Sequence, residues 1–205
     1  MQGGFPRLLL SVALRRRGRY GLAFIDGHLD FRHPGNSSRL SAVAGEDLAV
    51  VTGRGAPQLT DLEGRRPLVA EADVVAVGHR GLDAFADEVL ATPMTLYDVA
   101  ALRRLGPEEV AGRAVAAMEG RGVEGFWVHV DTDVLDPEIM PAVDSPEPGG
   151  LTHQELAALL RALTAAELAT GMQLTIFDPD LDPDGHLAGE LAATVVAGLA
   201  PLVRA

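Results

Sequence analysis

The feature that most limits how this chain can fold is a set of short apolar runs that do not alternate. Leu22-Ala23-Phe24-Ile25, Val74-Val75-Ala76-Val77 and Phe126-Trp127-Val128 are continuous, rich in β-branched or aromatic residues, and too short for helices. A strand with one wet face alternates apolar and polar residues. An unbroken apolar run needs cover on both faces, which is the pattern of a mostly parallel sheet between helices. Strands are predicted over 22–25, 73–77, 94–97, 126–131 and 172–177. Helices are predicted over 8–17, 41–52, 82–90, 107–121, 152–168 and 187–203. Pro107 with Glu108-Glu109 opens the fourth helix, and Thr152-His153-Gln154-Glu155 reads as a capping box for the fifth. No repeat, linker or low-complexity tract interrupts the series. The expectation is an α/β protein, three-layer α/β/α, in one domain over 1–205.

In open parallel sheets, sites form at the carboxyl ends of strands. Asp26, Gly78, Asp131 and Asp178 stand at such ends. Two of them begin acidic runs: Asp26-Gly27-His28-Leu29-Asp30 and Asp131-Thr132-Asp133. Strand alternation would point Asp131 and Asp133 the same way. Paired carboxylates at a buried strand end repel unless protonated or neutralised by a cation. Asp26, His28, Asp30, Asp131 and Asp133 together offer four carboxylates and one imidazole, a hard donor set suited to manganese, ferrous iron or zinc. Two such ions can hold a hydroxide nucleophile at neutral pH. Either run alone reads more simply as turn caps and a surface histidine. Their pairing after two buried strands favours metal.

Composition narrows the chemistry. The 205 residues include no cysteine, so thiolate nucleophiles, disulfides and zinc–thiolate sites are excluded. All 17 basic residues are arginine, which excludes Schiff-base lysines and the P-loop lysine. A net charge of −12 argues against nucleic acid or an anionic membrane as partner. No apolar run reaches the ~18–20 residues of a membrane span. The Arg15-Arg16-Arg17 cluster follows the apolar Leu8-Leu9-Leu10 run, the reverse of a secretory signal, so the default location is cytoplasmic.

These motifs resemble the ureohydrolase family of arginase, agmatinase and formiminoglutamase. Ile25 to Asp30 is similar to the family's D-A-H-x-D motif. The stretch from His129 to Gly150 is similar to its S-x-D-x-D motif and the D-P, proline and glycine positions that follow, here Asp131, Asp133, Asp136-Pro137, Pro141-Ala142 and Gly150. Ser145 to Leu151 matches a T-P-x-x-G-G-L run, and the likeness extends from about residue 20 to the end. The resemblance implies a three-layer parallel fold and a binuclear manganese centre. A metal-held hydroxide would attack a guanidino or formimino carbon, and the assembly would be a trimer or hexamer. Asp26 and Asp131 would bridge the two ions. His28 and Asp133 would complete one. Asp30 would serve the other and accept a hydrogen bond from the hydroxide as the catalytic carboxylate.

Departures from the family pattern are equally specific. Gly3-Gly4 is followed by Phe5-Pro6-Arg7, so the family's G-G-D-H-S histidine, a ligand of the Asp30 metal, has no counterpart. The chain reads as N-terminally shortened, with two strands missing, a sheet edge exposed beside residues 22–25, and Met1 not necessarily the natural start. Gly27 replaces an alanine or serine. His129 replaces a serine or threonine and reads as a core histidine, a group that hydrogen-bonds a ligand, or a substitute ligand. Ile176 falls where a glutamate would hold a guanidinium, which disfavours arginine and agmatine. His33 is the one histidine left in the loop that carries the family's mobile catalytic histidine, and Ala44-Gly45-Glu46 lies near that histidine's expected place. Asp178 is the nearest charged candidate to pair with a guanidinium and otherwise reads as a turn cap. Arg32 and Arg80 are solvated arginines or receivers of an acidic substrate. Beside the hydrolase stands a second reading, a catalytically impaired or truncated relative that keeps the fold and partial metal binding and acts as a binding or structural protein. A deacetylase relative fits the D-x-D and P-E-P-G-G-L runs poorly.

Overall fold

The sequence folds around its apolar runs as a parallel sheet. The computed structural model describes residues 18–38, 43–61, 64–81 and 86–199. The strands are β1 (Tyr20–Ile25), β2 (Val74–Val77), β3 (Thr95–Tyr97), β4 (Gly125–Asp131) and β5 (Ala169–Thr175), in the order β3-β2-β1-β4-β5. Every neighbouring pair is parallel. The helices among the described residues are α1 (Asp47–Val51), α2 (Pro57–Thr60), α3 (Ala86–Leu90), α4 (Val99–Leu105), α5 (Pro107–Gly120), α6 (His153–Thr164) and α7 (His186–Gly198). The helix expected over 8–17 and the 3–7 stretch lie outside the described residues. So do parts of the helices expected over 41–52, 82–90 and 187–203.

Period-two geometry divides the core. Ala23, Ile25, Val75, Val77, Phe126, Val128 and Val130 face Leu102, Val110, Met118, Leu156 and Leu160 from α4, α5 and α6. Leu22, Phe24, Val74 and Ala76 face the opposite way, onto Leu48, Val51 and Val89 from α1 and α3. Each fully buried aliphatic or aromatic side chain contributes about 1.5–3 kcal/mol, so a continuous strand stabilises both helical layers at once. This is the expected three-layer arrangement.

Two expectations are corrected and one helix is new. The exposed edge does not lie beside 22–25: β1 is the central strand, paired on both sides, and β3 and β5 are the edges. The helix α4 was not anticipated, although Asp98 caps it by accepting a hydrogen bond from Ala101 N at 2.6 Å. The last strand begins at Ala169 and ends at Thr175, which leaves Ile176 in a left-handed turn (φ 70°). The capping box at Thr152 and Glu155 forms as read. Among the described residues, no helix is long and apolar enough to cross a membrane.

Candidate metal centre

Adjacent β1 and β4 bring the two acidic runs together. Phe24 pairs with His129 and Ile25 with Val130, so Asp26 and Asp131 emerge level at the strand ends. Asp26 is buried. Its Oδ1 accepts the His28 N–H at 2.7 Å and turns the chain, while Oδ2 has no hydrogen-bond partner. Asp131 Oδ1 accepts the Asp133 N–H at 2.9 Å and starts a 3-10 turn over Thr132–Val134. Asp133 therefore reaches the site through a turn and not through strand alternation. Its Oδ1 accepts from Gly27 N at 3.0 Å, and its Oδ2 meets His28 Nδ1 at 3.0 Å. Asp133 thus ties the two loops together, by one bond to the Gly27 amide and one to the His28 side chain.

Two donor groups result. One atom each from Asp26, His28 and Asp133 lie within 4.8 Å of one another, as do one atom each from Asp26, His129 and Asp131. Asp30 belongs to neither group. It stands beside them on the wall of a cavity of about 210 Å³, with its backbone left-handed at φ 43°. Burial, then the charges of Asp30 and Asp133, push the Asp26 carboxyl well above the usual range. Burial and then Asp131 do the same to Asp30, and burial and then Asp26 to Asp131. The hydrogen bond to Asp133 raises the His28 pKa, and its Nε2 lies 3.3 Å from Glu147. His129 is the reverse: burial pushes it down to about 4 and holds it neutral. Its Nδ1 lies 2.8 Å from Gln173 Nε2, and its ring stacks on Phe24.

The cavity is also lined by His28, Arg32, Ala44, Gly45, Asp131, Asp133, Asp144, Ser145 and Ile176. Arg32 is therefore placed to meet a ligand, whereas Arg80 is not. Arg80 Nη2 donates to the carbonyls of Leu135 at 2.9 Å and Glu147 at 3.0 Å. Burial lowers the Arg80 pKa, an effect that Asp133 and Glu147 oppose. Its guanidinium fills the space beside Gly27, where a Cβ would collide with Arg80 Nη1 and come within 2.8 Å of the Asp133 carbonyl. The glycine that replaces alanine or serine is thus matched to an arginine. His33 is tied to Glu88 at 3.0 Å and does not line the cavity. Asp178 caps its turn by accepting from Asp180 N at 2.9 Å.

The long loop after β4 has its own clasp. Asp136 Oδ2 accepts from Gly149 N at 2.8 Å and Gly150 N at 3.1 Å. Hydrogen bonds from the Glu138, Gly149 and Gly150 amides lower its pKa. The clasp delivers Glu147 to His28. Glu147, Gln173 and Asp47 are the site neighbours that the sequence did not single out. Asp47 is buried at the start of α1, and its charge raises both Asp26 and Asp30. A lone aspartate inside a helical pattern carries no local signal of such a neighbour.

Hard oxygen donors with an imidazole, three carboxyls raised by burial and then by one another's charge, and an orphaned buried Asp26 oxygen fit a divalent cation. Comparisons with known proteins agree with that chemistry. The Arginase family model matches residues 8–200. The arginase of Bacillus caldovelox is 30% identical over 203 residues, covering 94% of this chain and 67% of that protein. The crystal structure of an arginase from Bacillus cereus superposes with a TM-score of 0.81 at 27% identity, over 95% of this chain and 65% of that one. Formimidoylglutamase from Bacillus subtilis shares the fold, with a TM-score of 0.71 at 17% identity over 93% of this chain and 56% of that one. The chain thus spans about two thirds of the first two relatives and just over half of the third. With the paired acidic motifs, the parallel sheet and the family match over 8–200, the chain belongs to the arginase family.

Proposed function

We propose that this chain carries the metal-binding core of a manganese-dependent hydrolase of linear C–N bonds, acting on a guanidino or formimino compound. The observation that carries the reading is the meeting of Asp26, His28, Asp131 and Asp133 at the ends of two central strands, with Asp26 Oδ2 unpartnered. Asp26 and Asp131 would be shared between two cations, His28 and Asp133 would complete one, and Asp30 would serve the second. When bound, the cations supply Lewis acidity and make a hydrolytic water acidic enough to ionise near neutral pH. Asp30, which lines the cavity, would orient that water by accepting its hydrogen bond. Ile176 presents no charge to a guanidinium, so a substrate bearing a carboxylate for Arg32 fits the cavity better than agmatine. A cytoplasmic homo-oligomer, trimer or hexamer, belongs to the same reading.

Equilibrium dialysis against manganese, followed by elemental analysis, tests it. The expected result is about two ions per chain, with release of urea, ammonia or formamide from a panel of guanidino and formimino compounds. A protein that binds no divalent ion after loading would rule the reading out.

A further inference from the structure

His129 is the one histidine of the site whose environment the two acidic motifs leave unexplained. It lies on β4 one register step below Asp131, on the sheet face that also carries Phe24. It is almost wholly buried, and its ring is fixed by Phe24 at a centroid distance of 4.8 Å and by Gln173, its partner across β5. Its Nε2 points to Asp26 Oδ2 at 3.9 Å, too far for a hydrogen bond. Two buried oxygens in this corner lack partners: Asp26 Oδ2 and Gln173 Oε1.

As a plain core histidine, His129 leaves both oxygens orphaned. Its Nδ1 would accept from Gln173 Nε2, and its own Nε2–H would have no acceptor in reach. A half-turn of the Gln173 amide, which exchanges its oxygen and nitrogen, turns His129 Nδ1 into the donor of this pair and leaves Asp26 Oδ2 to a cation. Oε1 then accepts from Nδ1–H, and the ring proton leaves Nε2. The Nε2 lone pair now faces the same space as Asp26 Oδ2 and an oxygen of Asp131, three donors within 4.8 Å of one another. A ring nitrogen on the metal with the opposite N–H donating to a carbonyl is the usual arrangement of a ligating histidine.

We propose that His129 is a metal ligand of this chain, which with Asp26 and Asp131 holds one of the two cations, and that Gln173 is the positioning residue that sets its tautomer. The proposal rests on the metal-dependent reading above and deepens it. It assigns an imidazole to the ion that His28 does not serve, from a strand already present in this sheet. His28 and His129 then stand on opposite sides of the shared Asp26, one imidazole per ion.

The test is manganese binding to the full chain, read by dialysis with elemental analysis and by pulsed EPR of the imidazole nitrogen couplings. The wild type should bind two ions. His129→Ala should keep one ion and lose the second by more than about 100-fold in affinity. Gln173→Leu should weaken that ion by about 10–100-fold, the usual effect of removing an orienting partner. Gln173→Glu, which can only accept from Nδ1–H, should restore it. If His129→Ala fails to fold by circular dichroism, the His28→Asn protein decides: its manganese should still show an imidazole coupling. Two ions of unchanged affinity in a folded His129→Ala, or no coupling in His28→Asn, would overturn the assignment of His129 and leave the hydrolase reading standing. A wild type that binds no ion would overturn both.

Discussion

The floor and the wall of the site are built on different principles. The floor, Asp26, His28, Asp131 and Asp133, grows from the ends of two central strands and is held by hydrogen bonds of 2.7–3.0 Å, three from backbone amides and one between the His28 and Asp133 side chains. Its geometry follows from sheet register. The wall, with Asp30, Arg32, Ala44, Gly45 and Ile176, belongs to loops and one 3-10 turn (Val43–Glu46), and contains both non-glycine residues of positive φ among those described. A β-branched residue at φ 70° costs energy that only surrounding packing can impose. In the reading proposed above, the floor holds metal in a geometry set by the fold, and the wall, apart from Asp30, is where a substrate would be selected.

The largest contrast should appear in metal affinity. Asp131→Asn on the floor should weaken manganese by more than the ~10–100-fold that loss of an outer-shell partner causes, whereas Ile176→Ala on the wall should leave it within about threefold. Similar losses from both, measured by calorimetric titration, would break the distinction.

Gly27 tests how tightly the floor is packed. Gly27→Ala should cost about 1–3 kcal/mol, because a Cβ there overpacks Arg80 and the Asp133 carbonyl. Pairing it with Arg80→Ala should recover part of that loss in urea unfolding. A neutral single mutant would show that the glycine is incidental.

A graded effect is expected with pH. Burial, and then crowding with neighbouring carboxylates, raises Asp26, Asp30 and Asp131, and the hydrogen bond to Asp133 raises His28, above their unfolded values. The stability these groups contribute is full below their unfolded pKa values and lost as pH rises through the raised folded ones. His129, held at about 4, has the opposite sign: its contribution is present above its unfolded value of ~6.5 and lost as pH falls. Metal-free protein in chelator should therefore melt at higher temperature near pH 6.5 than near pH 8. Manganese should reverse the trend, since ligation requires deprotonated donors. A melting temperature independent of pH in chelator would contradict the crowding.

The smallest effect belongs to the scaffold. Thr152→Ala removes the α6 capping box and should cost about 1 kcal/mol, with manganese affinity unchanged. Any loss of metal binding would mean that the floor depends on α6 more than sheet register suggests.

Much of this protein was determined by local sequence. Unbroken apolar runs required burial on both sheet faces, and Asp26 and Asp131 stood at the ends of two of them, because a strand's burial pattern and its terminus are properties of adjacent residues. Tertiary structure alone decided what depends on register between distant segments. It placed β1 at the centre of the sheet, with no edge beside it. It carried Asp133 into the site through a turn, set Arg80 beneath Gly27 and away from the cavity, and aimed His129 at Asp26. Such relations join residues some 50 to 110 positions apart, and no local period in the chain encodes a contact of that span.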